Sequence, residues 1–350
     1  MQIKSFELSI ECILTCNTFA FSEFVLDQLK ESKLIDAKTA ESFGAKFVID
    51  SSAPKSVQNG VFHLPDLKMA VKIAKDGDKI FVKSGTYTSS QTSPFEIKKF
   101  VQIYGEGHGK TIFNGPWLIQ ADAGFTNVKF AIDEDEKDAI YVTNSALVRF
   151  EFCHFAIPNN TGIYVLNDQE FGTTQIELYG CVCSGFSESA RFLSLGNCTS
   201  CKISYSYLQN FHSFCTVIDH YLESNISLEI ITCYFEDVQD AIKFMVHPSS
   251  DIKVKIDRLK LELDLIDPEA PSTGIYTNAG TSFDLRNVVI EGNHADFVGI
   301  SLNNLESVHI ENSYISGSME NIEETSIGKG ISMQNVSKVY LRNICTKYLR

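Results

Sequence analysis

From residue 138 onward the chain repeats one phrase: a small residue, two apolar positions flanking an outward one, a polar turn, and a second alternating run. It reads DAIYVTNSALVRFEF, TGIYVLNDQEFGTTQIEL, ARFLSLGNCTSCKISY and TVIDHYLESNISLEI, then DAIKFMVHPSSDIKVKI, TGIYTNAGTSFDL, VGISLNNLESVHIEN and KGISMQNVSKVYLRN. The leading apolar residues are Ile140, Ile163, Phe192, Val217, Ile242, Ile275, Ile300 and Ile331, spaced by 23, 29, 25, 25, 33, 25 and 31. Period-two alternation marks half-buried strands. A repeat of this length with two or three short strands and no helix marks a solenoid, in which each strand pairs in parallel with its equivalent one turn later. Turns of unequal length bulge outward without disturbing the stack. The L-x-x-L-x-L of leucine-rich repeats is missing, and the period is too short for the four-stranded blades of a propeller. The pattern predicts an all-β fold, a right-handed parallel β-helix.

Before residue 45 the period is helical. Phe21, Val25 and Leu29 lie four apart, and Asp36 and Gly44 suit the start and stop of a short helix. The reading divides the chain into a helical N-terminal cap or extension over 1–45 and the parallel β-helix over 46–350. One helical phrase survives inside the second part, LPDLKMAVKIAKDGD, with Leu67, Val71 and Ala74 on one face and Gly77 as its stop.

That helix, followed by GDKIFVKSGTYTSS and then VQIYGEGHGKTIFNG, resembles the first coils of the pectin-lyase-like superfamily. It is similar in style to pectin methylesterases and to the carbohydrate-binding and sugar-hydrolase repeats, which also occur in intracellular β-helix adaptors such as the Shc SH2-domain-binding protein. The likeness covers about residues 66–115. It implies the fold, and it brings two expectations for function: a carbohydrate-active protein or an adaptor. The catalytic segments of the enzymes are not matched. G-T-Y-T-S at 85–89 lacks the glutamate that follows this tyrosine in pectin methylesterases, and the one tryptophan, Trp117, precedes the main coils. The N-T-D, D-D and R-I-K segments of polygalacturonases are missing too. The acidic run Asp133-Glu134-Asp135-Glu136 reads as a solvated turn rather than the calcium cluster of a pectate lyase.

Charge narrows the partners. Lys+Arg 30 against Asp+Glu 44 leaves a net charge of −14, which repels nucleic acid and anionic lipid. An acidic polysaccharide is repelled as well, unless basic residues or Ca2+ gather locally. No apolar run has the length of about 20 residues that spans a bilayer, and Glu7 and Glu11 interrupt a signal-peptide core. Ten cysteines in a chain of 350 residues, most in strand-like runs, point to free thiols and a reducing, cytoplasmic compartment.

The outward positions hold the candidate chemistry. Along the first strand of the phrase they run Tyr141, Tyr164, Leu193, Ile218, Lys243, Tyr276, Ser301 and Ser332. This is an aromatic and aliphatic ladder in which Tyr141, Tyr164, Ile218 and Tyr276 are candidate contacts for a protein or for sugar rings. Along the second strand they run Glu151, Glu177, Ser204, Glu229, Lys255, Arg286, His309 and Tyr340. Glu151 and Glu177 as rung neighbours would raise one carboxyl's pKa, and with His154 and Glu229 would form a hydrolase-like cleft. Solvated strand glutamates are the simpler reading. Cys198 and Cys201, preceded by Cys181 and Cys183, are weak candidates for a zinc site. No cofactor fingerprint is present. The final coil, with no helix to cover it, offers unpaired strand groups. The leading expectation is therefore a non-enzymatic scaffold docked into an intracellular assembly, cytoskeletal or ciliary, through that end and the tyrosine ladder. The alternative is a carbohydrate-active enzyme or polysaccharide-binding protein of the pectin-lyase-like class.

Overall fold

The computed structural model describes residues 43–347, apart from residue 53 and the segments 133–137, 144–145, 159–160, 166–171, 186–189, 198, 220–222, 265–271, 293–296 and 318–328. The helices expected over residues 1–45 fall almost wholly outside this range, as do the acidic run at 133–136 and Cys198.

The strands wind as a parallel β-helix with three faces. The first face stacks Trp117–Ile119, Asp138–Val142, Thr161–Val165 and Arg191–Ser194; the second stacks Val101–Gly105, Ala123–Thr126, Leu147–Glu151, Thr174–Tyr179 and Thr199–Ser204. The third stacks Thr111–Asn114, Lys129–Ala131, His154–Ile157 and Val182–Gly185. Later coils turn their corners so tightly that strand bonding continues through them, and Asn225–Val246 and Phe297–Gly317 each serve all three faces. Coil-to-coil pairing is parallel throughout these stacks. An antiparallel pair, Ser56–Gln58 with Val61–Leu64, stands before them.

A single left-handed residue makes the corner between the second and third faces on coil after coil. It is Asn127, Phe152, Gly180, Tyr205, Thr232, Arg258, Asn287, Asn312 and Asn343, each at φ between 50° and 61°. Asparagine tolerates this conformation better than most residues because its short amide bonds locally. Here the amides also bond between coils: Asn343 Nδ2 donates to Asn312 Oδ1 at 2.9 Å, and at another corner Asn335 Nδ2 donates to Asn304 Oδ1 at 3.0 Å. This is the physical source of the asparagines in the repeated phrase.

Inward side chains stack on their own kind. Phe125 and Phe150 lie with centroids 5.3 Å apart and planes 9° apart, and Phe130 and Phe155 repeat the arrangement at 5.1 Å and 12°. Trp117 is fully buried among them. Such aromatic pairs add about 0.5–1.5 kcal/mol each beyond the area they bury. Helix α1, Leu67–Ile73, closes on this core as its periodicity predicts. Asp66 caps it, accepting from Lys68 N at 2.8 Å, Leu67, Ala70 and Val71 are buried, and Gly77 follows in a left-handed turn at φ 85°.

The register corrects two of the expected lead positions. Ile163 stacks on Leu193, and Leu193 on Cys215, which in turn stacks on Ile242. Phe192 and Val217 are therefore not the equivalents of Ile163 and Ile242. Phe192 and Leu193 are both fully buried although adjacent. Gly162, beside them on the neighbouring coil, makes room: a Cβ there would lie 2.8 Å from the Phe192 carbonyl.

Candidate functional site

The outward residues of the second face form a column of alternating charge. In register they are Arg149, Glu177, Lys202, Glu229, Lys255, Asp284, His309 and Tyr340. Adjacent strands are about 4.8 Å apart, so opposite charges on neighbouring coils can meet. Arg149 Nε donates to Glu177 at 2.6 Å; Glu229 takes Lys202 at 3.1 Å and Lys255 at 2.7 Å; His309 Nδ1 lies 3.3 Å from Asp284. Two residues earlier on the same strands runs a column of mostly small polar groups: Gln175, Ser200, Ser227, Lys253, Ser282, Ser307 and Lys338.

Between these columns lies a groove of about 500 Å³, lined among others by Gln175, Glu177, Ser200, Lys202, Ser227, Glu229, Lys255 and Asp284. A second hollow of about 410 Å³ shares Ser282 and Asp284 with it and continues past His309 to Tyr340. The groove thus runs along the coil axis, across the strands. Its floor is short because serine fills the column where a longer side chain would stand.

The electrostatics keep Glu229 ionised. The Lys255 and Lys202 ammonium groups hold the Glu229 carboxyl below its ordinary pKa, and Glu229 in turn raises that of Lys255. A general acid for glycoside cleavage has to be protonated at the working pH, and Glu229 is tuned the other way. The groove carries fixed charges and serine hydroxyls along its length.

The expected acid pair does not form. Glu151 stacks between Thr126 and Tyr179, while Glu177 stacks between Arg149 and Lys202. The rung places Arg149 beside Glu177, so the pair is an ion pair and not two repelling acids. Ser204 and Arg286 also leave the column, replaced by Lys202 and Asp284. Glu229 keeps its place. His154 belongs to the third face, stacked between Lys129 and Val182, around the corner at Phe152 and Cys153 from Glu151. Burial first, then Lys129 and His108, pushes its imidazole down to about 4.

The tyrosine ladder is real for two rungs and then stops. Tyr141 and Tyr164 lie 5.9 Å apart by ring centroid, and Tyr164 stacks on Ser194. Thr216 and Lys243 follow before Tyr276. Leu193 points into the core, and Ile218 pairs with Met245 two positions further along the strand than Thr216. Tyr276 is therefore separated from the first two tyrosines by Ser194, Thr216 and Lys243. The zinc reading also fails at Cys201, which is buried between Ile176 and Leu228 with its thiol pKa pushed up by burial. Cys181 and Cys183 are fully buried as well. Among the described residues no three His, Cys, Asp or Glu side chains are grouped to hold a metal ion, and none of the helices is long and apolar enough to cross a membrane.

A second polar cluster, on the third face, escaped the sequence reading. Tyr207 donates to Glu236, and the Lys260 ammonium lies 2.5 Å from Glu262, 3.1 Å from Glu291 and 5.2 Å from the Tyr234 ring centroid. Its members come from four successive coils, in strands that alternate like any other.

No family model and no curated protein matches the sequence. Solved structures do. An alginate lyase of family PL6 matches at 14% identity and TM-score 0.47, over 76% of this chain and 38% of that one. The chain thus spans under two fifths of that lyase's length. The catalytic domain of a GH87 α-1,3-glucanase matches at 11% and 0.44, over 85% of this chain and 67% of that one. A polygalacturonase from Erwinia carotovora ssp. carotovora matches at 10% and 0.36, over 86% and 96%. At such identities a likeness concerns the fold alone, and the parallel β-helix of this chain rests on its own coil-to-coil strand pairing.

The intracellular scaffold reading is corrected. The matching structures named here are carbohydrate-active enzymes, and no scaffold stands among them. One of its two physical grounds is gone as well, because the contiguous aromatic face it required is interrupted by Ser194, Thr216 and Lys243.

Proposed function

We propose that this chain binds a linear polysaccharide lengthwise in the groove of its second face. One observation carries the reading: the groove repeats its polar groups once per coil, along the axis a chain would follow. The step of about 4.8 Å per coil is close to the length one pyranose adds to an extended polymer. Successive sugars would therefore meet successive rungs in similar positions. Sugar hydroxyls both donate and accept. The carboxylates accept from them, the ammonium groups donate, and the serine hydroxyls do either. Held as an anion, Glu229 is unsuited to the role of general acid, and the reading is recognition of the polysaccharide.

The test is calorimetry with a panel of linear hexasaccharides on the wild type and on Ser227→Trp, which fills the middle of the floor. Ser301→Trp, on the outward first face, is the control. Binding that falls at least tenfold in Ser227→Trp and is unchanged in Ser301→Trp supports the groove. Equal binding by all three proteins places the ligand elsewhere and ends the proposal. Reducing ends appearing during the incubation would replace binding by catalysis.

The reducing compartment expected from the cysteines belongs to the same proposal. The free thiols at Cys153, Cys181, Cys183, Cys201, Cys215, Cys233 and Cys345 support it.

A further inference from the structure

Resting on the groove reading above, we infer that the polysaccharide it takes is uncharged, and that the groove discriminates against polyuronates. The charge count is the first ground. Six ionisable side chains line the main groove: Glu177, Glu229 and Asp284 against Lys202, Lys253 and Lys255. Three negative and three positive charges leave the lining neutral, and the ion-pair partners beside it, Arg149 and Arg286 against Asp251, add only one positive charge, inside a chain whose net charge is −14.

The second ground is that the three ammonium groups are already engaged. Lys202 and Lys255 share Glu229 at 3.1 and 2.7 Å, and Lys253 holds Asp251 at 2.6 Å. A uronate entering here would have to take a lysine from its carboxylate, leaving that carboxylate facing a second anion. A bidentate arginine platform for a carboxylate is not offered either, since Arg149 is given to Glu177 and Arg286 already holds Asp284 through two hydrogen bonds. The negative field of the whole chain adds a repulsion that reaches about 10 Å at 0.1 M salt.

The third ground is what the floor does offer. The hydroxyls of Ser200, Ser227 and Ser282 make no hydrogen bond to other described residues, and Ser227 is exposed. Neutral hydroxyls facing a neutral sugar exchange water for protein at little electrostatic cost. A polymer with one carboxylate per residue would bring a new anion to every rung.

The experiment compares neutral hexasaccharides (glucan, mannan and xylan) with hexagalacturonate and hexamannuronate, by calorimetry at 20 and 300 mM salt. A neutral sugar that binds at least tenfold more tightly than either uronate at 20 mM salt supports the inference. Its own affinity should be nearly unchanged at 300 mM salt. A uronate that binds as well as or better than every neutral sugar overturns the inference and leaves the groove reading intact. Failure of all five to bind overturns the groove reading itself. Glu229→Lys turns the balance of the lining from zero to +2, and Asp284→Asn turns it to +1. Both variants, checked for native circular dichroism, should gain uronate affinity, the first by tenfold or more. No gain in either variant overturns the charge argument.

Discussion

His154 gives the sharpest physical test of the coil geometry. Its ring is turned toward the wall of the third face, near His108 with ring centroids 6.0 Å apart, and Nε2 is buried with no hydrogen-bond partner among the described residues. In the unfolded chain an imidazole titrates near 6.5. Folded, His154 stays neutral down to about 4, because burial disfavours the cation and Lys129 and His108 oppose it further. Between those values the unfolded chain binds the extra proton, so stability rises with pH across this window. The stabilising difference is present above pH 6.5 and is lost as pH falls through about 4. A gap of about 2.5 units at 1.36 kcal/mol each sets a ceiling of about 3.4 kcal/mol, of which about 2.5 is already lost at pH 4.5. Partial exposure of the ring screens some of this, so about 1–2 kcal/mol is the working figure. Urea unfolding of the wild type and His154→Leu, each at pH 7.5 and 4.5, isolates the contribution. The wild type should lose about 1–2 kcal/mol more than the variant on acidification. The ring protons should titrate near 4 by NMR. A ring that titrates near 6.5, or identical acid sensitivity in both proteins, would refute the placement of this histidine.

Three further outcomes follow from the same geometry. Gly105→Ala puts a Cβ 2.5 Å from the Asn127 carbonyl and 2.8 Å from Val128 Cγ1, and should cost about 1–3 kcal/mol in the same urea assay. Iodoacetamide on the native protein, read by peptide mass spectrometry, should modify Cys345, which is exposed, and spare the buried Cys153, Cys181, Cys183, Cys201, Cys215 and Cys233. Glu229→Gln removes a partner from two exposed lysines and should lower stability by less than about 1 kcal/mol. That small loss should shrink further when the melting temperature is measured at 0.5 M salt.

The stacked coils were legible because inward positions must be apolar on every turn, and Ile140, Ile163, Ile242, Ile275, Ile300 and Ile331 repeat without ambiguity. What failed was local register, for identifiable reasons. The segments Phe150-Glu151-Phe152 and Ile176-Glu177-Leu178 share an apolar–acid–apolar pattern and invite alignment. Phe152, however, is the left-handed corner residue at φ 52°, while Leu178 is an inward strand residue. The two glutamates are therefore one outward position apart, and the supposed acid pair becomes Arg149 with Glu177. Phe192 misled in a similar way, since two adjacent buried residues violate simple alternation where a glycine on the next coil permits it. The charge column is visible at five of its eight positions, Glu177, Glu229, Lys255, His309 and Tyr340. Lys202 and Asp284 were hidden by counting one outward position too far. The serine floor carries no chemical signature in sequence and emerges only from the stacking.

A crystal structure with a neutral hexasaccharide soaked in at millimolar concentration tests the central claim most directly. The account predicts an extended sugar chain lying across the strands, over Ser200, Ser227 and Ser282 and beside Lys202, Glu229 and Lys255. Sugar density on the first or third face, with this groove empty, would contradict it.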